Sequence, residues 1–183
     1  MSTTSLRRDH DLIEKVLKSM WAAVSLLKTG KTIPEAILMP VIDFTKNFTD
    51  VCHHGKEENS LFPELEKKGM PRNMGPIAVM LMEHEITRKI ANRMDESSKV
   101  YLKTGDATHL IADITEYINH VMQHLWKENN RLFMMADMAL QDKIEEVNQS
   151  LNEVEKSKLK EIGKSREDYE KLADDLDKKI SVV

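Results

Sequence analysis

The chain has one cysteine, Cys52, among 183 residues, which excludes an intrachain disulfide and suits a reducing compartment. Glycine and proline are sparse, at six and five residues, and runs that alternate β-branched with polar residues are few, which favours an all-helical chain over a sheet protein built on tight turns. No window approaches the roughly twenty apolar residues of a membrane helix, and the N-terminal region holds no apolar run ahead of a small-residue cleavage site. A soluble, cytoplasmic protein without membrane contact is therefore expected. Nor is there a long basic block: 27 basic residues face 31 acidic ones, a balance that argues against nucleic acid as a partner.

What the chain has in quantity is charge, 32% of its residues, laid out with helical periodicity. Leu6, His10, Ile13, Leu17, Met20, Val24 and Leu27 recur in steps of four and three, the stripe of a helix packed in a bundle, and Gly30 ends it. Pro34 and Pro40 mark a connection before a second helix of about Val41–Lys67, with Pro63 bending its last turns. Gly69, Pro71, Gly75 and Pro76 form the next break. A third stripe runs through Ile77, Leu81, His84, Thr87, Ala91, Met94 and Ser98. A fourth, after Gly105 and Asp106, runs through Ile114, Tyr117, Val121, His124 and Glu128 to about Ala136. Four helices with short connections predict an all-α, antiparallel up-down four-helix bundle, assigned to residues 1–138. Residues 139–183 keep Leu140, Ile144, Val147, Leu151 and Val154, then Tyr169, Leu172, Leu176 and Ile180 at helical spacing, with a capping box at Ser165 to Asp168. They predict a C-terminal helical extension of two helices covering the bundle, in preference to a signalling or dimerisation arm. The twelve methionines are read mostly as core filler.

The segments "HHGKEENSLF" from His53 and "HLWKENNRLF" from His124 are internal copies. Their alignment sets His53 on His124, Lys56 on Lys127, Glu57 on Glu128, Asn59 on Asn130, Leu61 on Leu132 and Phe62 on Phe133, leaving His54 on Leu125 and Glu58 on Asn129. The duplication extends upstream, because "RDHDLIEK" around His10 parallels "MEHEITRK" around His84 in flanking a histidine with acids. Each half is a helix with one stripe histidine, then a helix with His-x-x-x-Glu. Two such hairpins about a pseudo-two-fold axis bring His10, His53, Glu57, His84, His124 and Glu128 into one layer of the core.

Residues four apart on a helix differ by only about 40° in direction, so each His-x-x-x-Glu pair reaches one ion or an adjacent pair of ions. Two buried carboxylates without a positive partner are costly. A pair of divalent metal ions removes that cost, with Glu57 and Glu128 bridging and two histidines terminal on each ion, at the roughly 3.5–4 Å spacing of dinuclear sites. Mixed imidazole and carboxylate ligation suits iron and admits manganese or zinc. Six protein ligands leave positions for an oxo or hydroxo bridge and for a small exogenous ligand.

The blocks "DHDLIEKVL", "CHHGKEENSLFPELEKKG", "GPIAVMLMEHE" and "HLWKENNRLF" followed by "MAD" resemble those of the hemerythrin-like, or HHE cation-binding, domain family over nearly the whole chain. The resemblance implies a four-helix bundle with a non-haem di-iron site and ligand roles for the same six residues. Oxygen-carrying hemerythrins offer His-x-x-x-His on the third helix, whereas here His84 is followed at that offset by Arg88. The symmetric pattern is closer to the iron-centre-repair type, whose cysteine-bearing N-terminal domain has no counterpart in these residues.

Three functions fit. The first is a di-iron protein that binds O₂, NO or a related small ligand for sensing, protection or redox chemistry; the second is an enzyme that reduces O₂ or peroxide, or an iron donor for iron-centre repair. Both admit a redox partner protein and either a monomer or a homodimer. The third is a metal-free helical interaction module. A ferritin-type iron store is disfavoured, since paired Glu-x-x-His motifs are missing. Of the remaining candidates, His54 and His120 are assigned to the surroundings of the site, with His54 and Glu58 as an alternative register and His120 as an alternative fifth ligand. Tyr117, Glu14 and Arg88 are read as packing or surface pairing in preference to pocket lining. Cys52 is read as a small buried side chain, and His109 as exposed near a helix start.

Overall fold

The computed structural model describes residues 1–183, and every regular element is helical. The first rod, α1, spans Thr4–Lys28 and buries Leu6, His10, Ile13, Leu17, Met20, Val24 and Leu27, as the four-three spacing requires. Its start is held by a side chain distant in sequence. Asp137 accepts from Ser2 Oγ at 2.9 Å and from Thr3 N and Oγ1 at 3.1 and 2.9 Å, which sets a carboxylate at the positive end of the helix.

The second rod starts earlier than the sequence indicates. Helix α2 covers Glu35–Asp43 with Pro40 inside it, so that only Pro34 belongs to the connection. Ile37, Leu38, Val41 and Ile42 are all buried, and this stripe outweighs the backbone hydrogen bond that Pro40 cannot make. Beyond α2 the helix widens into i→i+5 pairing over Phe44–His54 (π1) and Glu57–Leu61 (π2) before closing as α3, Phe62–Lys67. The third rod, α4, runs Gly75–Thr104 and stops at Gly105, whose φ of 79° is the left-handed conformation that glycine takes freely. The fourth comprises α5 (Thr108–Lys127), a second widened turn at Glu128–Leu132 (π3), and α6 (Phe133–Ala139). π2 and π3 occupy matching places in the duplication, and each opens on the glutamate of its motif. Pro63 follows π2, but its counterpart after π3 is Met134. The widening therefore follows the His-x-x-x-Glu motif and not the proline, in keeping with the tendency of such turns to sit at functional sites.

Short connections make successive rods antiparallel. Their interior holds two separate apolar clusters. The larger, of 31 buried residues, lies between α1, α2, π1, α4, α5 and the last helix; the smaller, of 12, gathers Leu6, Leu61, Phe62, Ile77, Leu132, Phe133 and their neighbours at the other end. The histidine and glutamate layer lies between them.

Two more helices follow, α7 (Ile144–Ile162) and α8 (Arg166–Ser181), both packed on the bundle. Leu140 stands ahead of α7, in a turn, buried with Val147 and Leu151 in the smaller cluster. Tyr169 of α8 packs on Phe44 and Phe48, at ring-centroid distances of 5.8 and 5.2 Å. The methionines depart from the reading as core filler: Met1, Met74, Met82, Met122, Met134, Met135 and Met138 are exposed. Methionine favours a helix whether or not it is buried, so its count does not measure the core. No helix is long and apolar enough to cross a membrane.

The capping box expected at the start of α8 is present, with Ser165 Oγ accepting from Asp168 N at 3.2 Å and Asp168 Oδ2 accepting from Ser165 N at 2.7 Å. Replacing Ser165 with Ala should lower the unfolding free energy by about 1 kcal/mol. In a chain of this size that is a fall in melting temperature of roughly 2–4 °C, measurable by circular dichroism; an unchanged Tm would mean that α8 does not depend on its cap.

Candidate metal centre

All six residues expected as ligands meet in the layer between the two apolar clusters, and each is at most 1% exposed. The donor atoms of His10, His53, Glu57 and Glu128 lie within 4.8 Å of one another, as do those of His84, His124, Glu57 and Glu128. Two imidazoles thus belong to each set, and both carboxylates belong to both. His10 Nε2 is 3.1 Å from Glu128 Oε2, His124 Nε2 is 3.2 Å from Glu128 Oε1, and His84 Nε2 is 3.2 Å from Glu57 Oε2. Cis ligands on an ion with bonds of roughly 2.1 Å stand about 3 Å apart, so these spacings suit a shared cation.

The other nitrogen of each ring explains why Nε2 faces inward. His10 Nδ1 donates to Asn129 Oδ1 at 3.0 Å, His53 Nδ1 to Asp9 Oδ2 at 3.2 Å, His84 Nδ1 to Glu58 Oε1 at 2.7 Å and His124 Nδ1 to Glu83 Oε2 at 2.9 Å. With the proton held on Nδ1, a neutral imidazole presents a bare lone pair at Nε2, the arrangement in which histidine binds metal. Lone pairs then face carboxylate oxygens with no hydrogen between them. Eight of the thirteen buried side-chain atoms lacking a hydrogen-bond partner are the four Nε2 atoms and the four oxygens of Glu57 and Glu128. Buried polar atoms are rarely left unpaired, and here the exceptions converge on one volume, as metal ligands would.

Without a cation the layer takes up protons. Burial works to lower the pKa of His10, His84 and His124, but Glu128 and, for His10 and His84, Glu57 outweigh it; His10 and His84 are raised and His124 is pushed up to about 9. Burial likewise works to raise Glu128, which His124, His10 and His84 hold well below the carboxylate range. The supporting acids stay ionised for a similar reason. Against burial, His84 and Arg88 hold Glu58 at about 2, and His124 and Lys127 hold Glu83 at about 2.

The remaining candidates separate clearly. Glu58 faces His84 Nδ1 and Arg88, not the layer, so the His54 and Glu58 register is not formed. His54 is buried, stacks on His84 with ring centroids 3.8 Å apart, and places a donor atom within 4.8 Å of those of His84 and His124. Its Nδ1 meets Asp50 at 3.2 Å, and burial with its imidazole neighbours keeps it well below the ordinary histidine value. His120 donates to the Glu83 carbonyl at 3.0 Å and takes no place in the layer. Arg88 does more than surface pairing: it joins Glu58 to Asp50, at 2.7 Å each, and so ties His84 to His54. Tyr117 packs in the larger core, Glu14 is exposed at a groove beside Trp21 and Trp126, and His109 is exposed. Cys52 is buried, and burial pushes its thiol up to about 12, which fits packing. Asp9, Glu83 and Asn129 are not singled out by the sequence reading, and Glu58 enters it only as an alternative ligand, not as the acceptor of the His84 Nδ1 proton. Their signal was present in the acids preceding His10 and His84 and in the residue after each motif glutamate.

The family model of the hemerythrin HHE cation-binding domain matches residues 1–136. The chain belongs to this family. Among curated proteins it is similar to two named iron-sulfur cluster repair protein YtfE. The one from Edwardsiella ictaluri (strain 93-146) is 35% identical over 140 residues, 71% of this chain and 59% of that protein. The one from Enterobacter sp. (strain 638) is 32% identical over 88 residues, 46% of this chain and 40% of that protein. The match thus spans less than two thirds of either relative. No solved structure matches. An HHE domain binds metal cations, and this one carries two His/Glu clusters able to hold them.

Metal must displace the protons of the layer, which fixes a sign for pH. The folded His124 value of about 9 exceeds the ordinary 6.5, so its protonation stabilises the metal-free fold fully below about pH 6.5, and that contribution is lost as pH rises through about 9. The rise in Tm on adding Fe(II) anaerobically should therefore widen across this window. The double variant Glu57→Gln/Glu128→Gln should show little rise at any pH, and above about pH 9, where the imidazole protons no longer offset the carboxylates, its metal-free form should melt no lower than the metal-free wild type. A full metal-induced rise in the double variant would remove these glutamates from the ligand set.

Proposed function

We propose that the chain is a non-haem di-iron protein in which His10 and His53 hold one ion, His84 and His124 hold the other, and Glu57 and Glu128 span both. The observation that carries this is the convergence of eight buried, unpartnered donor atoms on one volume, each imidazole turned to expose Nε2. Residues 1–138 form the metal-binding bundle in this reading, and residues 139–183 the extension packed on it. Mixed imidazole and carboxylate donors suit iron, with manganese or zinc as chemically admissible occupants. When bound, the iron pair supplies open coordination and one-electron chemistry toward O₂, NO or peroxide.

The chain's own groups prepare that chemistry. Asp9, Glu58, Glu83 and Asn129 keep the Nδ1 protons in place and orient the rings. The two apolar clusters on either side keep bulk water from the layer. Binding of O₂ or NO for sensing, protection or redox chemistry is the reading we favour. An iron donor for iron-centre repair, or an enzyme reducing O₂ or peroxide with a redox partner, is a second reading, and the names of the two relatives favour the repair role. The metal-free module is the weakest of the three, since it leaves the eight donors without a purpose. The single thiol, Cys52, suits the reducing cytoplasm.

Protein expressed with iron should contain about two irons per chain by metal analysis, the stoichiometry of a dinuclear site. Reconstituted protein with one iron or none would end the dinuclear reading. Anaerobic NO should change the visible absorption of the Fe(II)-loaded protein; a spectrum indifferent to NO would favour repair by iron donation. His53→Ala should lose metal far more than His54→Ala, and the reverse ranking would move the ligand set to His54.

A further inference from the structure

Two side chains from beyond the family-matched residues reach the support of the imidazole layer. The Asp9 carboxylate, fully buried, accepts from His53 Nδ1 and, on the same oxygen, from Lys56 Nζ at 2.8 Å. Its other oxygen accepts from Arg166 Nη1 of α8 at 2.7 Å. Lys56 Nζ also donates to Glu155 Oε2 of α7 at 2.6 Å and to Ser5 Oγ at 2.6 Å, and Arg166 Nη1 reaches Glu155 Oε1 at 3.3 Å. Asp9, Lys56, Glu155 and Arg166 form a closed ring of alternating charge, and none of the four is more than 8% exposed.

The other half of the duplication has no such closure. There Glu83 holds His124 and pairs with Lys127, the counterpart of Lys56, but the Lys127 side chain is 38% exposed and nothing from the extension reaches it. The Lys56 side chain is 0% exposed. A lysine buried in this way requires both acids, and an aspartate between two cations has one settled orientation where a lone Asp9–Lys56 pair has several.

We infer that Glu155 and Arg166, on the C-terminal extension, are positioning residues of the metal centre: they fix Asp9, and through it the ring orientation and Nδ1-protonated tautomer of His53. The inference rests on the proposed role of His53 as a ligand. Groups that orient a metal-bound imidazole typically change metal affinity by about 10–100-fold when removed, and Arg166, one step further out, belongs at the lower end of that range. By linkage, metal binding tightens the docking of α8 by the same factor.

The test is a titration of the metal-free full chain with Co(II), followed by calorimetry and visible absorption. Wild type should take up two ions. Arg166→Met should weaken one of the two steps about tenfold and alter its absorption, leaving the other within about twofold, and Arg166→Lys should recover most of the loss. Leu176→Ala loosens the same helix through its apolar face without touching the ring, and should leave both steps near wild type. Hydrogen exchange in α8 should slow on metal loading in wild type and not in Arg166→Met. Should Arg166→Met fail to fold, Glu155→Gln carries the test on the same readouts. Two unchanged steps in the ring variants would overturn the inference while leaving the di-metal site intact, as would equal weakening by Leu176→Ala. A wild type that takes up no metal would overturn the proposed function, and this inference with it.

Discussion

Two carboxylates with four oxygens and no hydrogen-bond donor, buried at 0% exposure, are the constraint around which this fold is arranged. Burying an uncompensated carboxylate costs more than most single packing contacts return, so the layer must contain positive charge in every state the protein occupies. Protons on the imidazoles meet that need in the metal-free protein, and cations held in the layer would meet it otherwise. The surrounding choices follow from it: an acceptor at each Nδ1, cations behind the acidic acceptors, and apolar side chains above and below.

The duplication supplies the same devices twice and then departs from itself. Asp9 and Glu83 hold the histidines of the motifs, while Asn129 and Glu58 hold the two stripe histidines. An amide thus backs His10 where a carboxylate backs His84. A carboxylate makes an imidazole a stronger donor than an amide does, so the two His/Glu clusters differ in their supporting charge despite matching in outline. His54, whose counterpart is Leu125, adds a further imidazole to one side alone. The symmetry is architectural, and the chemistry of the two halves is distinct.

Much of this was legible in the chain because the signals are local or repeated. Stripe histidines fix which helix faces turn inward, and two aligned His-x-x-x-Glu motifs fix a level along the axis. Pro40 misled because the strongest local signal against a helix was overridden by four buried neighbours, Ile37, Leu38, Val41 and Ile42, whose contacts are tertiary. The widened turns at Glu57 and Glu128 have no compositional mark, since they keep helical dihedrals and change only the pairing. Glu155 and Arg166 were beyond reach for a different reason. They meet Lys56 and Asp9 across 99 and 157 residues, and each reads as one more charge on a solvated helix.

The division of the interior into a cluster of 31 residues and one of 12 bears on how the molecule comes apart. A polar layer supplies little cohesion of its own, so the clusters are joined chiefly through continuous helices and through α7, whose Val147 and Leu151 pack in the smaller one. The smaller cluster also holds Leu6 near the start of α1, where Ser2 and Thr3 are fastened to Asp137. That end buries fewer apolar side chains than the other, so less hydrophobic burial resists its local opening. An ion entering the layer by local opening would therefore meet the least resistance from the side of the smaller cluster.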